Sequence, residues 1–214
     1  MIGYDTDLDW VDGSSGADID GDPGPYLHWH TKGTDNRVIA PNSFSLRGPD
    51  GMAPITLTHG VVLDWPTLKL GWCQSTGQPG SRPIYVWSES RAKPLPKPPG
   101  ANQRRAISVV LAFDHDQRAL WEQAGFNCYA CAQDVFAVLK QAGAKAKLPL
   151  LPLFLPNGFR ALQVGQGTTV PVLVLKDFVP RPACLGAAPS LVKPRPAPPA
   201  PTASPTNLDD EIPF

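Results

Sequence analysis

The sequence predicts a mainly β fold of the α+β class, with one or two helices, followed by a disordered C-terminal tail. Three observations carry this reading. Apolar runs of strand length recur between Tyr26 and Phe178, only one stretch holds a sustained helical pattern, and prolines crowd the C-terminal end. The chain has 26 prolines in 214 residues, more than twice the usual share of ~5%, so part of it should be extended instead of packed. Hydrophobic residues make up 42%, enough for the core of one substantial domain.

The elements follow in order. Pro25 to His30 alternates before the turn Lys32-Gly33-Thr34-Asp35, and Arg37 to Ile39 and Ser43 to Arg47 read as extended, closed by the turn Gly48-Pro49-Asp50-Gly51. Strands are next expected over Ile55 to Leu63, Thr67 to Cys73 and Pro83 to Trp87, with Leu95 to Gly100 as a proline loop. Arg105 to Phe113 is the strongest buried strand, with Val110 and Phe113 in the core. Asp116 to Gln123 has the makings of a two-turn helix. Asn127 to Gln141 is the better helix, with Asn127 as N-cap, Val135, Val138 and Leu139 on one face, and Gly143 as the stop. Leu148 to Pro156 carries too many prolines for a helix and reads as an apolar extended connector. Thr169 to Phe178 is the last strand, its Pro171 suggesting an edge or a strand start. This order is compatible with an OB-type five-stranded barrel with insertions.

Charge is segregated. Residues 1–31 hold seven aspartates (Asp5, Asp7, Asp9, Asp12, Asp18, Asp20 and Asp22) and no Lys or Arg. The last eight residues hold three acids and no base. All 19 basic residues therefore lie in 32–206, against 9 acids, a balance of +10 in a chain of formal net charge zero. A basic body between acidic ends suggests a polyanionic partner for the body. From Val179 to Thr206 the chain has nine prolines, too little apolar surface to offset the entropy of ordering, and reads as a partly polyproline-II tether. The organisation expected is an acidic flexible segment over 1–25, a folded nucleic-acid-binding domain over 26–178, a Pro/Ala-rich disordered linker over 179–206, and an acidic tip over 207–214.

The last six residues, Asp209-Asp210-Glu211-Ile212-Pro213-Phe214, resemble the C-terminal tip of bacterial and phage single-stranded DNA-binding proteins. Ile212-Pro213-Phe214 matches the end of that tip and the three acids match its acidic part. Here a Pro/Ala tether stands in place of the usual Gly/Gln-rich linker. The resemblance implies an OB domain that coats single-stranded DNA in replication, recombination and repair. It also implies that the tip binds partner enzymes such as nucleases, helicases and polymerase accessory subunits. The physics is coherent: a terminal carboxylate beside a phenyl ring suits a pocket with an apolar floor and a cationic lip, and the acids steer it there.

Sequence-tolerant binding of single strands needs cations along a backbone track and aromatic faces for bases. Trp29, Trp72 and Trp87 lie on predicted strands, and Arg47, Lys69, Arg91, Arg104 and Arg105 are interleaved with them. These eight are the candidate nucleic-acid-binding residues.

Other patterns are weaker. Cys128 and Cys131 have metal-ligand spacing, but no second pair completes four ligands. His28 and His30 share one strand face, and with His59 and His115 they make only a weak candidate metal site. Asp18 to Asp22 resembles the start of a calcium loop but fails at Pro23 and Trp29. Asp114-His115-Asp116 lacks the lysine-bearing partner motif of a nuclease. With no phosphate-binding glycine loop or nucleophile elbow, neither an enzyme nor a cofactor is expected. The acidic N-terminus does not read as a secretory signal, no apolar run approaches ~18 residues, and four cysteines are too few for a disulfide scaffold. A cytoplasmic protein of the nucleoid or of a phage-infected cell is expected, without membrane contact.

Overall fold

The computed structural model describes residues 24–34, 38–75, 83–88, 95–100, 102–114, 116–143, 150–162 and 167–187. They form one curled sheet around one α-helix. The strands are β1 (Tyr26–His30), β2 (Ser43–Gly48), β3 (Gly51–Ile55), β4 (Val61–Leu63), β5 (Lys69–Gln74), β6 (Ile84–Trp87), β7 (Gln103–Phe113), β8 (Gln117–Ala124), β9 (Leu151–Ala161) and β10 (Thr169–Val179). Helix α1 spans Phe126–Ala142.

The sheet runs in the order β10-β9-β4-β7-β8-β1-β2-β3, and β5 joins β7 beside β4 and carries β6 on its outer edge. Every pairing is antiparallel except β1 with β8, which meet in parallel at Tyr26 and Leu120. Beyond that bridge the two strands diverge, and the Gln123 side chain fills the gap. Its Oε1 accepts the Trp29 N–H at 2.9 Å and its Nε2 donates to the Trp29 carbonyl at 2.8 Å. Strand β7 is flanked on one side by β4 and β5 in succession. The 3-10 turn Trp65–Thr67 separates them, and the Thr67 hydroxyl accepts the Val110 N–H at 2.9 Å in place of a missing ladder partner.

The core lies inside the curl. Leu27, Trp29, Phe44, Leu63, Trp65, Ile107, Val109, Leu111, Phe113, Trp121, Phe154 and Val170 meet Cys128, Cys131, Val135 and Leu139 of α1 there. Trp29 packs edge-on to Phe44 at 4.9 Å between centroids, and Phe44 to Trp121 at 5.8 Å. The start of β10 is tied to β1 and to the residue before β2: Trp29 Nε1 donates to the Thr169 carbonyl at 3.2 Å, and the Thr169 hydroxyl to Asn42 Oδ1 at 2.6 Å.

The mainly β expectation holds, with one helix and ten strands among the described residues in place of five. The extra strands have physical causes. The run expected over Ile55 to Leu63 breaks at Gly60, whose φ is +87° and whose missing Cβ would lie 2.4 Å from the Phe154 carbonyl. Of the run Asp116 to Gln123, all but Asp116 lies in strand β8 instead of a helix, because Ala119 and Trp121 alternate into the core and Gln117 to Ala124 pairs with β7. The connector Leu148 to Pro156 enters β9. Pro152 and Pro156 flank Leu153 and Phe154, the two residues that β4 also pairs, so neither proline occupies that doubly paired stretch. Pro171 sits in β10, which pairs with β9 alone.

The N-cap of helix α1 is Gly125, two residues before the expected Asn127, and Gly143 ends the helix at φ +54°. The linker expected from residue 179 is folded at its root. Ala183–Leu185 forms a 3-10 turn, and Leu185 and Cys184 cover Val110, Ala112, Leu120 and Leu151 on the outer sheet face. Val110 is therefore buried, but on the opposite face of β7 from the main core. The acidic N-terminal segment and the tip lie outside the described residues. No helix among the described residues is long and apolar enough to cross a membrane.

Candidate nucleic-acid interface

The strap Pro180 to Gly186 covers only part of the convex face. The rest carries side chains whose positions follow from strand register, since paired residues share a face. Across β6, β5 and β7, Tyr85, Cys73 and Arg104 form one row. Trp87, Gly71, Ala106 and Ala124 form the next, and Lys69, Ser108 and Glu122 the third. Tyr85 and Trp87, two residues apart on β6, stack with centroids 5.2 Å apart and planes 9° from parallel. Gly71 permits the close approach of β6: a Cβ there would stand 2.1 Å from the Val86 carbonyl oxygen and 2.9 Å from the Trp87 ring. The result is a half-buried aromatic pair beside an exposed guanidinium (Arg104) and a half-buried ammonium (Lys69).

The electrostatics fit that placement. Burial pushes the Glu122 carboxyl above its ordinary value, while the Lys69 ammonium and a hydrogen bond with Ser108 pull it back. Burial likewise raises the Cys73 thiol, opposed by its hydrogen bond with Tyr85 and by the Arg104 charge. Burial raises the Tyr85 phenol too, reinforced by Cys73 and Glu122.

A second cluster lies on the same face, on β1 and β2. Tyr26 pairs with Arg47 and His28 with Ser45, and His30 Nε2 lies 2.8 Å from Ser45 Oγ. Burial lowers the His28 pKa, and the His30 and Arg47 charges lower it further; burial alone lowers that of His30. Among the described residues neither Arg47 nor Arg104 makes an ion pair.

The candidate residues are thus divided. Lys69, Trp87 and Arg104 come together, and Arg47 stands in the second cluster. Trp29 is a core residue at 4% exposure, with no ring face left for a base. Trp72 also points inward: its Nε1 donates to the Leu95 carbonyl at 2.9 Å, and its ring lies 4.1 Å under the Arg105 guanidinium. Arg105 bridges Trp72 to Tyr129 of α1, 5.0 Å from that ring, and so joins helix to sheet on the concave side. Arg91 and the tip residues Asp209 to Phe214 lie outside the described residues. Tyr85, Tyr26, His28 and His30 are surface members that the candidate set lacked; the two-residue alternation from Trp87 to Tyr85 was the available signal for the first.

The cysteine pair is structural. Cys128 and Cys131 are buried in the core, and burial raises both thiols, Cys131 to about 12. Neither is a thiolate at neutral pH. Among the described residues no three His, Cys, Asp or Glu side chains converge on a metal-sized site.

Comparison with known proteins gives no match to any family model, curated protein or solved structure.

Proposed function

We propose that the protein binds single-stranded DNA without regard to sequence, in replication, recombination or repair, and that its C-terminal tip recruits partner enzymes. The observation that carries this reading is the stacked, half-buried Tyr85–Trp87 pair beside Lys69 and Arg104. Every base has a π-face, so stacking on such a pair is tolerant of sequence and contributes about 1–3 kcal/mol per base. Cations beside it neutralise phosphates and release counterions, which makes binding depend on salt. A duplex keeps its bases stacked inside and offers the aromatic pair nothing. The same proposal extends to the fold, as an OB-type barrel elaborated by inserted strands.

The tip takes the second role. Asp209, Asp210 and Glu211 would meet the basic rim of a partner pocket, and Phe214 with its carboxylate would fill it. The resemblance of these residues to the family tip supports this half.

The test is intrinsic tryptophan fluorescence of the full chain titrated with poly-dT at about 50 and 200 mM salt, against a duplex control. Strong quenching by the single strand alone, weakened by salt, is expected. Trp87→Ala should weaken binding by roughly 5- to 100-fold, the equivalent of one stacked base. A chain that ignores poly-dT at low salt would leave a docking module that works through its tip without touching DNA.

A further inference from the structure

We infer that the β1–β2 end of the outer face is a second, separate phosphodiester subsite, built from Arg47, His28 and His30 beside Tyr26. The inference rests on the single-strand reading above and specifies how much of the face a strand occupies.

Tyr26, His28, His30 and Arg47 all project from the convex side, as the β1–β2 register requires. Tyr26 is 37% exposed, and Arg47 is exposed with no ion pair among the described residues. The imidazole rings of His28 and His30 lie 6.4 Å apart. Three groups able to carry positive charge face one another, and the described carboxylate on the neighbouring strand β8, Glu122, is engaged with Lys69 and Ser108. A phosphate placed among them relieves their mutual repulsion and gains charge-assisted hydrogen bonds. Tyr26 supplies a ring for an adjacent base, so the cluster repeats on a smaller scale the pairing of cation and aromatic found at β6.

The outermost members of the two clusters, Trp87 on β6 and Arg47 on β2, stand far apart. From β6 through β5, β7, β8 and β1 to β2 there are five inter-strand steps, roughly 24 Å along the sheet at ~4.8 Å each. Stacked nucleotides advance ~3.4 Å along a strand, so about seven are needed to reach both clusters. A tetramer fits one cluster only, and a dodecamer spans both.

The experiment is fluorescence anisotropy of labelled dT4 and dT12 at low salt with the wild-type chain, Arg47→Ala, Arg47→Lys and Trp87→Ala. Arg47 is exposed, so its replacement leaves the fold intact, which a thermal melt verifies. Arg47→Ala should weaken dT12 about 5- to 10-fold and reduce the salt slope by about 0.7, the share of one phosphate contact. Its effect on dT4 should be less than twofold. Arg47→Lys should keep most of the dT12 affinity, and Trp87→Ala should weaken both lengths. Equal losses for dT4 and dT12, or none for either, overturn the second subsite while leaving the single-strand reading in place. Inorganic polyphosphate of matched charge competing as well as unlabelled dT12 also overturns it, since the cluster would then take any polyanion. Failure of the wild-type chain to bind either oligonucleotide overturns both readings.

Discussion

Arg181→Ala should cost the domain about 3–5 kcal/mol, because it leaves a buried carboxylate without its counter-charge. The Arg181 guanidinium binds Asp64 through two parallel hydrogen bonds, of 2.8 and 2.5 Å. The Asp64 side chain is 2% exposed and that of Arg181 14%, so water can replace neither partner. Arg181 also donates to the carbonyls of Gly186 at 2.9 Å and Leu185 at 3.2 Å, curling the strap back on itself. The strap is what seats Leu185 on Val110, Leu120 and Leu151. In urea, with m of about 2–3 kcal/mol/M for a domain of this size, the midpoint should fall by about 1–2 M at unchanged m. Replacing both partners with apolar residues of similar size, Asp64→Leu with Arg181→Met, should recover most of the loss. A midpoint shift below about 0.3 M, or single-site losses that simply add in the double variant, would refute the reasoning.

Three further outcomes are expected. Glu122→Gln removes a carboxylate from between the two cationic clusters, so oligo-dT binding should tighten about threefold at low salt and by less at high salt. The raised Glu122 carboxyl also means that the wild type loses stability as pH rises through the folded-state value; the variant should therefore unfold at no lower urea concentration at pH 7. The lowered pKa values of His28 and His30 carry the opposite sign. Stability should decline as pH falls below the unfolded histidine value of about 6.5, while oligo-dT affinity rises over the same interval as protons add charge beside Arg47. Tyr26, Ser43 and Ser45 stand on the same face, with Glu122 on the neighbouring strand. His28→Gln with His30→Gln should flatten both trends, as read by urea midpoints and anisotropy between about pH 5.5 and 7.5. Deleting Ile212, Pro213 and Phe214 should abolish capture of tip-binding enzymes without shifting the thermal melt of the domain.

Strand positions were legible where one face is apolar and the other polar, as in Tyr26 to His30 and Ser43 to Arg47. Periodicity was harder to read where both faces are buried. Asp116 to Gln123 reads as a two-turn helix with Asp116 as its cap, and Leu120, apolar beneath the strap, breaks the strand alternation there. Nothing local to β8 announces a segment some 65 residues later. The strap was hidden by its prolines: the composition of Val179 to Thr206 is that of a tether, and only Arg181 and Leu185 distinguish its first turn. At the candidate interface the difficulty was parity. Trp72 and Trp87 both lie on short strands among polar neighbours, and a shift of one position exchanges the faces. Trp72 shares a face with Arg105, and through it with Tyr129 of the helix; Trp87 lies across Gly71 on the other side. The glycine was the clue, since a strand residue without a side chain marks a close approach by something large.

The strap ties the two halves of the proposed function together. It covers the outer face over Val110, Ala112 and Leu120, so it would define one border of the surface that receives a strand. It also fixes where the tail departs. The Arg181–Asp64 clamp holds the strap on the outer sheet face as far as Gly186. If residues 187 to 206 are the tether of the proposed function, they would extend at most about 60 Å at ~3.1 Å each in polyproline-II form. In the proposed function, an enzyme held by Phe214 would thereby be kept within that radius of the bound strand, close enough to act on it. Releasing the clamp moves the root back towards Val179 and lengthens the tether by about 25 Å at the same rise per residue. Arg181→Ala should consequently leave tip affinity unchanged, yet lower the effective concentration of a recruited enzyme at the strand. Tip binding measured alone and recruited-enzyme activity on coated DNA should separate in that variant. If the two fall together, or neither moves while the urea midpoint drops, the strap is a structural cap and does not set the reach of the tail.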